Sequence, residues 1–203
     1  MKKVLIEDLR YFAEEYVSTE QCRHASGGWW QTPLLASAPI DQRFDILPNI
    51  AIDDHLHPYD LLGSAKTLVA FFIPFKTELI RDNKKGDRPC RNWGVAYVET
   101  NDLINGLSLA LKRFLNEKGF KSALTPATHN FNEEKLMARW SHKHLAHLSN
   151  LGRFGTHNIL ITIHVELQAS GRQYGCRYFS GKRYTPNSQY DCRAHLGPVQ
   201  PSL

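Results

Sequence analysis

A mixed α/β (α+β) domain, a sheet with flanking helices, is the fold class this sequence predicts. Three observations predict it. Two segments carry apolar residues at helical spacing, residues 4–17 and 99–120. Two short apolar runs, 65–75 and 157–165, are too short for core helices and read as buried strands. Helical and strand patterns then alternate along a chain of 203 residues that is 42% hydrophobic and 22% charged, enough for one real core.

The elements follow in order. Leu5, Leu9, Phe12 and Tyr16 form one stripe, so residues 4–17 predict a first amphipathic helix. Residues 18–62 carry Gly27-Gly28, several prolines and little period, and predict an irregular stretch that wraps the body. Trp29 and Trp30 argue against its being disordered. "AKTLVAFFIPF" predicts the first strand, and residues 79–94 a charged surface loop. The helix over 99–120 is capped by Thr100 or Asn101 and presents Leu103, Ile104, Leu107, Leu111, Phe114 and Leu115 on one face. Gly119 stands where a C-terminal glycine belongs. "KSALTPAT", 121–128, predicts a short strand ending at Pro126. Residues 132–152 predict a helix with Asn132 as its cap and acids in the first turn. "HNILITIHV" predicts the last strand.

Charge and cysteines restrict the function classes. Residues 1–165 carry a net +2 and residues 166–203 a net +3, so the body has no charge excess that marks a nucleic-acid-binding face. No apolar run approaches a membrane span of about 18 residues. The start, "MKKVLIEDLRYFAEEYV", loses its apolar run to acids by position 7, unlike a signal peptide. A cytoplasmic location and free thiols at Cys22, Cys90, Cys176 and Cys192 are expected. None of these four forms a CxxC pair.

Six histidines, at 129, 142, 144, 147, 157 and 164, invite a metal reading. His144 and His147 lie three apart on one helical face, but spacing sets no third ligand and HExxH is absent. A basic helix end that suits the dipole is preferred, and no metal site is expected. The loop "LGRFGTHN", 151–158, has two glycines that permit positive φ or close backbone approach at a strand end. It is not GxGxxG and runs helix to strand, which disfavours a dinucleotide site. Gly152 is equally suited to ending the preceding helix. Thr128, His129, Asn130, Trp140 and His142 offer a polar and aromatic lining, or simply caps and one core tryptophan.

Three segments in order carry a resemblance over roughly residues 50–164: "DLLGSAKTLVAFFIPF", "VAYVETNDLINGLSLALKRFLNEKGFKSALTPATHNF" and "WSHKHLAHLSNLGRFGTHNILIT". Together they resemble the cobalamin-binding N-terminal domain of the epoxyqueuosine reductase family and its iron–sulfur relatives. The resemblance implies an oxidoreductase. In that family a corrinoid sits on an α/β domain, and a following ferredoxin-like module with two [4Fe-4S] clusters feeds it electrons. The substrate is a small molecule or is tRNA-borne, as epoxyqueuosine is in queuosine synthesis. Leu151, Gly152, Gly155, Thr156 and Asn158 then match the cofactor-proximal loop. Tyr97 and Asn101 match a polar, aromatic helix entry near the corrin, and Trp140 and His142 join the lining. A flat macrocycle needs such close backbone approach and aromatic walls.

Two departures accompany the resemblance. The acidic proton donor of the reductases has no counterpart in "ATHNF", where His129 is the stand-in candidate for the catalytic acid. After the "LIT" strand the family continues with a Gly-Cys-Ala-Gly-like turn and CxxCxxCxxxCP ligand runs. Here residues 166–203 are an irregular basic tail with two cysteines and no periodic face. Val-Glu-Leu-Gln-Ala admits codons that read Gly-Ala-Ala-Gly from the third base, so a shifted frame or a degraded gene is the favoured account of the tail. The expectation is a domain over 1–165 whose ferredoxin module is missing, with no iron–sulfur cluster on this chain and an outside electron donor. A stand-alone corrinoid or small-molecule binding module, and a non-functional remnant, stay open beside it.

Overall fold

The computed structural model describes residues 6–24, 27–125, 131–133, 137–156 and 158–162. Thr128, His129, Asn130, His157, His164, Cys176, Cys192 and the 166–203 tail lie outside these residues.

A two-stranded antiparallel sheet organises the fold. Strand β1 (Leu34–Pro39) pairs with β2 (Thr67–Phe72), with Leu34 opposite Phe72 and Pro39 opposite Thr67. Side chains alternate across a strand, so the register assigns each residue to one face. Leu35, Val69 and Phe71 face helices α1 (Ile6–Arg23), α4 (Thr77–Asn83) and α5 (Arg91–Glu117). There they join Ala13, Val17, Leu79, Ala96, Leu103 and Leu107 in the largest core cluster. Leu34, Ala36, Ala70 and Phe72 point the other way. They pack on Ala146 of α6 (His142–Leu148), Leu151, and Leu160 of a hairpin formed by β5 (Gly152–Phe154) and β6 (Leu160–Thr162). Farther along that same face, Ala38 and Leu68 meet Phe44, Leu47, Trp140 and Leu145. The result is three layers of mixed helix and strand: long helices, a narrow sheet, then α6 with its hairpin.

The apolar run at 65–75 and the helical spacing at 4–17 are realised as β2 and α1. Helix α1 runs on to Arg23, because Ala13 and Val17 continue its buried stripe. The irregular reading of 18–62 is corrected in part. The segment holds β1, a 3₁₀ turn at Gln42–Phe44, α2 (Leu47–Ile50) and α3 (Pro58–Leu61). Its strand has little local signal, because "LLASAP" is stabilised by a partner about thirty residues later rather than by its own period.

The charged loop at 79–94 is shorter than expected, with α4 entering it at one end and α5 at the other. Helix α5 begins at Arg91 with Cys90 as its cap, and Trp93 packs its ring 5.2 Å from Phe75. The expected caps lie inside the helix. Thr100 Oγ1 donates to Ala96 O at 2.5 Å and Asn101 Nδ2 to Tyr97 O at 3.0 Å, the back-bonding that short polar side chains make in a helix interior. At the other end Gly119 has φ 87°, Phe120 N donates to Leu115 O and Gly119 N to Asn116 O, a full Schellman motif. Residues 121–125 hold no strand.

The helix expected over 132–152 is the largest correction. Strands β3 (Phe131–Asn132) and β4 (Met137–Ala138) pair antiparallel, and helix starts only at His142. Tertiary contacts hold this segment extended. Leu56 N donates to Arg139 O at 2.9 Å, and Arg139 Nε is 2.9 Å from a carboxylate oxygen of Asp54. A helical residue 139 would not present its carbonyl to residue 56.

Candidate functional site

Helix α6 ends in a way the sequence half concealed. Asn150, not Gly152, takes the left-handed position, at φ 62°. Leu151 N donates to Ala146 O and Asn150 N to His147 O, both at 2.9 Å, and Leu151 packs against Ala146 as the motif requires. Asparagine visits this conformation more readily than most residues, because a short polar side chain can hydrogen-bond locally. Gly152 is thereby released to be the first residue of β5. A methyl group there would stand 2.6 Å from the Ile161 carbonyl oxygen, so the close backbone approach is to the chain's own β6.

The hairpin turn follows. Gly155 N donates to Ile159 O and Asn158 N to Gly155 O, with Asn158 at φ 56°. Thr156 and Asn158 are exposed at this tip. Lys143 reaches toward it, with Nζ 3.5 Å from Asn158 O and 5.7 Å from the Phe154 ring centre. Partial burial pushes the Lys143 amine down.

Beneath the tip lies a buried histidine cluster. His55 and His144 are 7% and 8% exposed. Ser141 N donates to His55 Nε2 at 2.9 Å, so His55 carries its proton on Nδ1 and donates it to Leu56 O at 2.6 Å. Trp140 stacks on the same ring, 5.8 Å centre to centre. Ser141 Oγ is 2.7 Å from His144 Nδ1. The His144 ring in turn lies 4.9 Å from Phe154. His147 donates from Nδ1 to Gly152 O at 3.0 Å, which fixes its tautomer and ties α6 to β5. Burial pushes His55 down against the opposing pull of its bond to Leu56 O and of Asp54. Burial first, then Lys143, His55 and His147, push His144 down to about 4.

The Ser141–His144 separation is that of a nucleophile and its base. A base held neutral by burial and by the Lys143 ammonium beside it does not take up a hydroxyl proton near neutral pH. The pair therefore braces α6. Beside it, a cavity of about 240 Å³ opens between apolar walls of Phe44, Leu47, Pro48 and Leu56, with Asp45, His55 and His57 as its polar groups. His57 accepts from Tyr59 N at Nδ1, which leaves Nε2–H 3.7 Å from Asp45.

The expected site residues divide between the layers. Trp140, Leu151 and Gly152 are buried in the α6–hairpin layer, and His142, Gly155, Thr156 and Asn158 stand at its half-exposed or exposed edge. Tyr97, 42% exposed, and Asn101 lie on α5, in the layer on the opposite face of the β1–β2 sheet. The structure thus gathers seven of the nine residues at one layer and leaves two at another. His55 and Ser141 were missed. Their bond spans 86 positions, and only "HLHP" hinted that residue 55 was more than a surface histidine.

Among the described residues no group of three or more His, Cys, Asp or Glu side chains could hold a metal ion, and no helix is long and apolar enough to cross a membrane. Cys22 is exposed and Cys90 half-buried, both as free thiols. No protein-family model matches the chain, and searches of curated proteins and of solved structures find no match.

Proposed function

We propose that this chain is the corrinoid-binding part of a reductase similar to the epoxyqueuosine reductases and their iron–sulfur relatives. One observation carries the reading. The three segments that resemble the family supply β2, α5 and α6 with its hairpin, and α5 and α6 pack on opposite faces of the sheet that β2 completes. Segments that assemble around one sheet in family order support a shared domain.

The α6–hairpin edge is the corrinoid face in this reading. Trp140, Leu151 and Gly152 are spent on the core and shape it from below. Gly155, Thr156 and Asn158 present backbone and short polar groups outward, with Lys143 beside them. These fit the polar edge of a macrocycle, whose amides need few, well-placed partners. When bound, the corrinoid would supply a cobalt centre that changes oxidation state. This chain's residues would bind and orient it. In this reading electrons would reach it from a separate donor, since residues 1–203 carry no CxxC pair. The substrate is small or tRNA-borne, and the protein is cytoplasmic.

A second reading is a small-molecule binding module without redox chemistry of its own; the 240 Å³ cavity, below the roughly 300–1,000 Å³ of drug-sized ligand sites, restricts such a ligand to a few heavy atoms.

Titration of the purified chain with hydroxocobalamin, followed by visible absorbance and equilibrium dialysis, tests the proposal. One equivalent is expected to bind with a spectral shift. Thr156→Ala with Asn158→Ala is expected to weaken it about tenfold, or roughly 1.4 kcal/mol. Absence of bound cobalamin would defeat the reading and leave the small-molecule module or a remnant without activity.

A further inference from the structure

We infer that the His55–Ser141–His144 chain is an acid-released latch that holds α6 and its hairpin onto the sheet. The inference does not depend on what ligand the hairpin binds.

The geometry makes the latch specific to a neutral His55. Ser141 N is a backbone donor, so His55 Nε2 serves it only while unprotonated. The other nitrogen already donates to Leu56 O. A second proton on His55 would set N–H against N–H at 2.9 Å. Ser141 is the residue that caps α6, so loss of this bond frees the start of the helix. Its hydroxyl lies 2.7 Å from His144 Nδ1 one turn along; a hydroxyl can donate or accept, so this contact joins His144 to the chain while the proton-sensitive bond is the one to His55. Trp140 on His55 and Phe154 on His144 bury both rings, which leaves an imidazolium little water.

All but one of the charged neighbours oppose protonation. Asp54 favours protonation of His55, but its carboxylate is paired with Arg139 at 2.9 Å. His57, faced by Asp45, opposes it. Lys143 and His147 on α6 oppose protonation of His144. From the sheet, this face receives only Leu34, Ala36, Ala38, Leu68, Ala70 and Phe72.

The sign follows. Both histidines have folded values below the unfolded one near 6.5. The stability they contribute is complete above that value and is lost as pH falls below it, for His144 down to about 4. The latch is therefore closed at neutral pH and opens in mild acid. The layer of α1, α4 and α5 contains neither residue and keeps its packing.

Amide hydrogen exchange at pH 7 and pH 4.5, corrected for intrinsic rates, tests this. Peptides covering 54–57 and 141–154 are expected to lose at least about tenfold protection at pH 4.5 while α1 and α5 keep theirs. His55→Gln and His144→Gln are expected to abolish the pH dependence of that difference. Imidazole nitrogen shifts of the unaltered chain keep the test decisive if a variant fails to fold. The His144 ring should remain neutral at pH 6, and the neutral His55 ring should carry its proton on Nδ1. Unchanged protection at pH 4.5, one transition shared by all helices, or ordinary titration of both rings near 6.5 would overturn the latch.

Discussion

Gly152→Ala is expected to dismantle the β5–β6 hairpin. The new methyl would sit 2.6 Å from Ile161 O and 3.0 Å from both Ile161 C and Leu160 Cγ. The nearest atoms are backbone, which cannot swing aside as the end of a side chain can. The register that sets Gly152 opposite Thr162 must break, and Leu160 and Leu151 lose their seat against Phe72 and Ala146. The expected loss is about 3 kcal/mol or more, seen as a fall in Tm on the order of 10 °C. Gly94→Ala is the control. Gly94 is exposed in α5 with nothing within 4 Å of an added Cβ, so alanine there should stabilise by about 1 kcal/mol. Thermal unfolding by circular dichroism reads both. Equal and small effects would mean that Gly152 does not approach β6 as described.

Trp30→Ala is expected to cost about 3–5 kcal/mol, the range for removing a large aromatic from a core. Trp30 is 1% exposed, bridges to Phe75 across the isolated pair, and donates from Nε1 to Thr100 Oγ1 at 2.7 Å. It therefore ties the loop after α1 both to the strand end and to α5. Trp29 reinforces the tie by donating to the Glu99 carboxylate, and Lys76 Nζ holds Gly27 O at 2.7 Å. Trp30→Phe should cost much less, because the Thr100 hydroxyl still donates to Ala96 O and is not orphaned. Urea unfolding should show a lower midpoint for Trp30→Ala with an unchanged slope. A midpoint shift below that of Trp30→Phe would show that the tryptophan is not in the core.

What could be read in advance depended on the range of the contacts. The α1 stripe, the apolar run of β2 and the Gly119 cap rest on neighbours within a few residues, and the structure shows all three. β1 was illegible because its order comes from β2, and a short strand with small residues has no local signature. The helix expected over 132–152 was displaced by Leu56 and Asp54 reaching residue 139, contacts no helical period encodes. The site shows the same division. The turn after α6 was visible as a loop with special backbone, but which residue ends the helix was not, because Asn150 and Gly152 both suit the position. Tyr97 and Asn101 fell in another layer, since the sequence does not say which face of the sheet a helix covers.

The most direct measurement of the central claim is a map of amide chemical-shift changes on adding hydroxocobalamin to isotope-labelled chain. The account predicts changes at Lys143, Gly155, Thr156 and Asn158, with α5 around Tyr97 and Asn101 unmoved. Changes centred on α5, or none at all, would contradict it.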